Sequence, residues 1–177
     1  QQGAMAIILF VYISASPYIF QNIYGLNAMS FSAIFALNAA GIGAGAMLSA
    51  KFRRRRTAVV FSGVGAFAAA IIEAILISAG ANVYFVELAI WAMMFMFGVA
   101  APAAAAIVLD SQRNNAGTAA ALLGALPFFL GSIAVSCTGF GSVSVSFASM
   151  IIIGGFLGAL LSLVARRYQK KFGPSTI

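Results

Sequence analysis

The sequence predicts an all-α integral membrane domain with six transmembrane helices. Three observations carry that prediction. Hydrophobic residues make up 63% of the 177-residue chain and charged residues only 7%, against roughly 25% charge in a soluble domain, so the chain has too few polar groups to coat itself for water. Its apolar residues fall into six runs of about 20 residues, the length a helix needs to cross a hydrocarbon core about 30 Å thick. The ten basic residues lie only between or after these runs, in every second connection.

The six spans cover about Gly3–Phe20, Ser30–Ala50, Thr57–Ala79, Tyr84–Leu109, Ala116–Thr138 and Val145–Ala165. Each run is apolar on every side. A barrel strand would alternate polar and apolar residues over about ten positions, and in lipid a uniformly apolar run must satisfy its own backbone hydrogen bonds, which makes it a helix. The connections at 21–29, Gly80–Val83 and Gly139–Ser144 are short, so neighbours in sequence run antiparallel in one bundle. Residues 1–165 therefore form a single transmembrane domain, and residues 166–177 a basic tail.

Orientation follows from charge. Lys51, Arg53, Arg54, Arg55 and Arg56 lie between the second and third spans, Arg113 between the fourth and fifth, and Arg166, Arg167, Lys170 and Lys171 after the sixth. The other connections hold none. By the positive-inside rule the charged side is cytoplasmic, which places both termini there. The same distribution explains the net charge of +7 as a bilayer orientation signal and excludes a nucleic-acid partner. With no histidine and one cysteine, Cys137, the chain lacks the ligands and bases of zinc, haem and triad chemistry. No cofactor and no enzymatic activity are expected. The chain begins with Gln1 and has no visible secretory signal, so it reads as part of a longer chain or as a chain with an unread start.

Packing signals are frequent. Gly41 with Gly45, Gly65 with Ala69, Gly117 with Ala121 and Gly154 with Gly158 are small-xxx-small pairs that let membrane helices approach closely.

Three acids are present. Asp110 falls at the cytoplasmic end of the fourth span, where it could pair with Arg113. Glu87 lies one turn from the outer end of the same span and reads as an interfacial carboxylate at headgroup depth. Glu73 lies about two turns from the outer end of the third span. An ionisable group there is a functional candidate, here a candidate proton site, although a glutamate can also snorkel outward or stay neutral against lipid. Among uncharged groups, Tyr12 and Ser16 in the first span and Asn38 near the centre of the second are pocket candidates. The fourth span carries Glu87, Trp91, Met94 and Gly98 at helical spacing. Pro17, Pro102 and Pro127 each remove a backbone hydrogen bond and mark candidate kinks or gates. Tyr24 and Tyr84 sit where an aromatic belt would lie, whereas the deeper Trp91, Tyr12 and Tyr18 offer faces suited to lipophilic cations and planar drugs.

The segment Phe10–Ile42, FVYISASPYIFQNIYGLNAMSFSAIFALNAAGI, resembles the seventh and eighth helices of Bcr/CflA-type drug:proton antiporters of the major facilitator superfamily. The shared positions are Tyr12, Ile13, Ser14, Ser16, Pro17, Tyr24, Gly25, Leu26, Phe35, Ala36, Leu37 and Asn38. Ala116–Leu130, AGTAAALLGALPFFL, resembles that family's eleventh helix. Two departures remove polar groups: Pro127 replaces a glutamine and Ala103 an asparagine. The resemblance implies the C-terminal half of a twelve-helix transporter, itself a 3+3 inverted repeat. This half would meet an N-terminal six-helix half around a cavity lined by the first, second, fourth and fifth spans. It implies Tyr12, Ser16, Asn38 and Trp91 as cavity residues and moves Glu73 toward the lipid-facing periphery. It further implies proton-coupled efflux of small drug-like molecules by alternating access, in the bacterial cytoplasmic (inner) membrane. The alternative reading is a self-assembling homodimer, a pore or a structural membrane subunit.

Overall fold

A computed structural model describes residues 1–140 and 142–171, the last four by backbone alone. Six long helices account for nearly all of it: α1 (Gln2–Pro17), extended by a π-helical turn at Tyr18–Ile23, α2 (Ala28–Lys51), α3 (Arg55–Ser78), α4 (Val83–Ser111), α5 (Ala116–Cys137) and α6 (Val143–Lys171). All six are long and apolar enough to cross a membrane. The expected spans are recovered to within a few residues. The largest difference is at α6, which runs past Ala165 to Lys171, so the expected tail begins as helix. Residues 172–177 lie outside the described residues.

Local chemistry sets the ends. Asn27 caps α2, its side chain accepting from the Ser30 amide at 2.8 Å. Asn82 caps α4 in the same way, accepting from Tyr84 at 3.1 Å. Each satisfies an otherwise orphaned amide of a first turn. Just before each cap the chain turns through a left-handed glycine, Gly25 at φ 68° and Gly80 at φ 63°, a conformation that side chains resist. Pro17, which has no amide to donate, is followed directly by the π-helical turn. Pro102 and Pro127 instead sit within α4 and α5, which continue through them.

The packing has internal two-fold character. α4 packs on α2 and α3, α1 packs on α5 and α6, α3 packs on α6, and α1 touches α4. Exchanging α1 with α4, α2 with α5 and α3 with α6 maps this set of pairs onto itself, as a 3+3 repeat requires. α1 is the most enclosed span, with Met5, Ile8, Val11, Tyr12, Ile19 and Phe20 buried. α2 and α5 flank the bundle and leave large apolar side chains uncovered, including Leu37, Met47, Phe128 and Phe129. This is the all-α architecture of a six-span membrane half.

Glycines decide the closest approaches. A Cβ on Gly45 would collide with the carbonyl oxygen of Phe95, and one on Gly98 with that of Ile42. α2 and α4 therefore cross backbone to backbone. Gly65 and Ala69 face inward, Gly65 against Met96 of α4, and Gly154 and Gly158 receive Ile7, Ile8 and Met5 of α1. The pair Gly117 and Ala121 departs from expectation. Both are exposed on α5, and nothing lies within 4 Å of a Cβ built on Gly117. The α1–α5 contact uses Gly131 instead, which seats Phe10.

Gly45→Val and Gly98→Val are each expected to destabilise the bundle by about 1–3 kcal/mol or more, because a backbone carbonyl cannot yield as a side chain does. The effect would be read as a lower unfolding midpoint in a denaturing-detergent titration. Gly117→Ala and Gly124→Ala, which meet open space, should leave the midpoint unchanged. Equal sensitivity at all four positions would remove the crossing from its structural role.

Candidate functional site: a polar cluster at the junction of α1, α2 and α4

Asn38 is the hub. It lies on the α2 face that also carries Gly41 and Gly45, so the glycine crossing presses its side chain between α1 and α4. Its Nδ2 donates to the Tyr12 hydroxyl at 3.0 Å and to Glu87 Oε1 at 2.9 Å. One amide thus ties three helices, and both of its N–H groups are used. Ser16, one turn beyond Tyr12 on α1, is buried in the same face.

The cluster is rich in unused acceptors. Among the described residues, Asn38 Oδ1, Glu87 Oε2 and Ser16 Oγ are buried without a hydrogen-bond partner. Buried polar atoms are normally paired, so such a group of orphans in one place singles this junction out as the candidate site. Aromatic rings border it. Tyr12 stacks on Phe35 with centroids 5.7 Å apart, and Trp91, one turn past Glu87, stacks on Phe95 at 5.5 Å. The Trp91 ring also lies over Gly41, where a Cβ would sit 2.8 Å from Nε1.

Of the expected cavity residues, Tyr12, Ser16 and Asn38 meet here, with half-buried Trp91 on the rim. None of the first three opens onto a surface in this conformation. Asn38 is 1% exposed.

Glu87, expected as an interfacial carboxylate, is enclosed by the bundle, 8% exposed and bonded to Asn38. The reason is an offset between parallel helices. Glu87 is one turn into α4, but its partner Asn38 is ten residues into α2, about 15 Å along that helix. In sequence Glu87, Trp91 and Gly98 share a helix face, and only the structure shows that Gly98 meets α2 there.

Glu73 is also corrected. Instead of facing lipid or snorkelling outward, it is fully buried on α3, and both carboxylate oxygens lack a partner among the described residues. Of the described groups, Tyr24 lies in electrostatic range, and Tyr24 itself bonds the Ala81 carbonyl at 3.1 Å. Glu73 belongs to the α3 core rather than to the three-helix cluster. Of the three prolines, Pro127 lines a cavity. That cavity, about 840 Å³, lies at the basic end, with Gln2, Arg56, Gln112, Thr118 and Arg166 among its walls. At the same end Asp110 is held by Arg55 of α3 as well as by the expected Arg113, the latter at 3.9 Å.

Comparison with known proteins finds a likeness to a transporter-type protein. Over 155 residues the chain is 26% identical to YdgK of Bacillus subtilis, described as an uncharacterized MFS-type transporter, MFS standing for major facilitator superfamily. The match covers 85% of this chain and 39% of the relative. The chain thus spans well under half the length of that protein. No family model and no solved structure matches the chain.

A double-mutant cycle tests the hub. Side-chain hydrogen bonds between membrane helices contribute about 0.6 kcal/mol on average and up to about 1.7. Tyr12→Phe should therefore cost about 0.6 kcal/mol and Asn38→Leu, which removes two bonds, about 1 kcal/mol. The double mutant should cost less than their sum. Strict additivity in detergent unfolding would mean that Tyr12 and Asn38 do not interact.

Proposed function

We propose that this chain forms the C-terminal half of a membrane transporter that exports small, drug-like molecules in exchange for protons. The observation that carries the reading is the cluster of Tyr12, Asn38 and Glu87. It is a buried polar junction built from the helices that would line the cavity of such a half. The two-fold packing of α1–α3 and α4–α6 supports alternating access, in which two halves rock about a midplane site. The likeness to an MFS-type transporter over most of the chain supports transport as the general activity. The uncovered apolar flanks of α2 and α5 offer a surface to an N-terminal six-helix half. Tyr12, Ser16, Asn38 and Trp91 would contact substrate once the cluster opens, with Pro17, Pro102 and Pro127 as points of bending. The membrane would be the bacterial cytoplasmic membrane, with the basic end and both termini inside.

Two measurements test this reading. Ethidium efflux from proteoliposomes is compared for this chain alone and for this chain joined to the N-terminal half of a related transporter. Efflux driven by a proton gradient only in the joined form is expected, whereas efflux from the chain alone would favour the self-assembling homodimer. For orientation, single cysteines replace Arg54 or Gly80 in a Cys137→Ser background. The cysteine at position 80 should react with an impermeant maleimide added outside intact cells and the one at position 54 should not. The reverse pattern would invert the topology.

A further inference from the structure

We propose that Glu87 is the proton-exchanging carboxylate of this half, with Asn38 as its positioning residue and Oε2 as the atom that takes up and releases the proton. The inference rests on the transport reading above and adds the residue that would couple transport to the proton gradient.

The two carboxylate oxygens of Glu87 are in different situations. Oε1 accepts from Asn38 Nδ2 at 2.9 Å, while Oε2 is buried with no partner among the described residues. A proton can therefore bind or leave Oε2 without breaking the bond that holds the side chain. The step is the dissociation of the acid into a carboxylate and a proton passed to water. The surroundings give its consequence. Every basic residue lies at position 51, at 53–56, at 113, or at 166 and beyond, so no cation stands beside Glu87.

The groups facing Glu87 are few. From α1 comes Tyr12, which feels its charge. From α2 comes neutral Asn38. α3 carries Glu73, which lies in reach of Tyr24 and lacks any polar bond to the cluster, and Arg55 and Arg56 at its opposite end. α5 contributes no acid and no base. A bare carboxylate at membrane depth with one neutral donor is costly. Losing the proton therefore favours any rearrangement that brings water or a cationic substrate to Oε2. The helices that must part to admit either are α2 and α4 or α1, the same helices that Asn38 ties together. Charge on Glu87 and opening of the junction are in this way one event.

The test has a spectroscopic arm and a transport arm. Infrared difference spectra between acid and alkaline pH are recorded for the full chain in liposomes. A carboxylic-acid C=O band that titrates is expected. It should be missing in Glu87→Gln, shifted in Asn38→Leu, which loses the bond to Oε1, and unchanged in Glu73→Gln. In the joined transporter, Glu87→Gln should lose ethidium efflux driven by the proton gradient while retaining gradient-independent ethidium exchange. Glu87→Asp should restore part of the driven efflux. Asp110 and Glu73 are carboxyls too, so the reading is the component lost on substitution: a difference spectrum that is unchanged in Glu87→Gln would overturn the proposal, and so would wild-type driven efflux from Glu87→Gln. Absence of ethidium transport from the unsubstituted joined form would sink the transport reading, and the infrared arm would still decide whether Glu87 exchanges a proton.

Discussion

The close crossing of α2 on α4 is the constraint from which the rest follows. In lipid the hydrophobic effect gives helices no reason to pair, so the fit of one surface to another decides which ones meet. At Gly45 and Gly98 the two backbones touch with no side chain between them. That contact fixes not only the distance but the register. With Gly45 beside Phe95 and Gly41 beneath Trp91, the next turn toward the N-terminus of α2 brings Asn38 to Glu87. A slip of one residue along α2 would rotate Asn38 by about 100° and leave the carboxylate without its donor. The polar cluster is thus a consequence of two glycines that carry no chemistry of their own.

The two-fold set of helix pairs places this junction in a larger frame. Each three-helix repeat sends its middle helix to pack on the first helix of the other: α2 rests on α4, and α5 on α1. The two crossings are related but unequal. The first is polar and ties three helices through one amide. The second seats Phe10 in the notch at Gly131 and sets its ring at a tilt to Phe128, with centroids 5.2 Å apart. The pseudo-symmetry therefore carries an asymmetric chemistry, with acceptors on the α2 side and aromatic, apolar surface on the α5 side. At the basic end, Arg55 and Asp110 join α3 to α4. α4 thus carries the polar junction one turn from its start and the ion pair at its other end.

Much of the architecture was legible in the residues. The Asn27 and Asn82 caps, the turn glycines Gly25 and Gly80 and the lengths of the apolar runs bound each helix within a few positions of where it lies. Three of the four small-residue pairs pack as expected. The exposed pair, Gly117 and Ala121, shows the limit of that signal: spacing creates a notch but does not say whether a partner fills it. The site was legible as a set of residues and not as an arrangement. Tyr12, Ser16 and Asn38 were recognised from their polarity at depth. Glu87 was not joined to them because its partner stands on another helix, ten residues past that helix's start.

Composition and charge by themselves determined that this chain is a bundle of six membrane-spanning helices with its basic residues at alternate connections. Those properties depend on each segment's transfer from water to lipid and on local hydrogen bonding, both of which are written in consecutive residues. Tertiary structure alone decided that Asn38 bonds Glu87 across 49 residues of chain, and that Glu73 is enclosed rather than lipid-facing. Those facts depend on the relative shift and rotation of helices. These are set by steric fit between distant surfaces, and no stretch of the sequence encodes them in isolation.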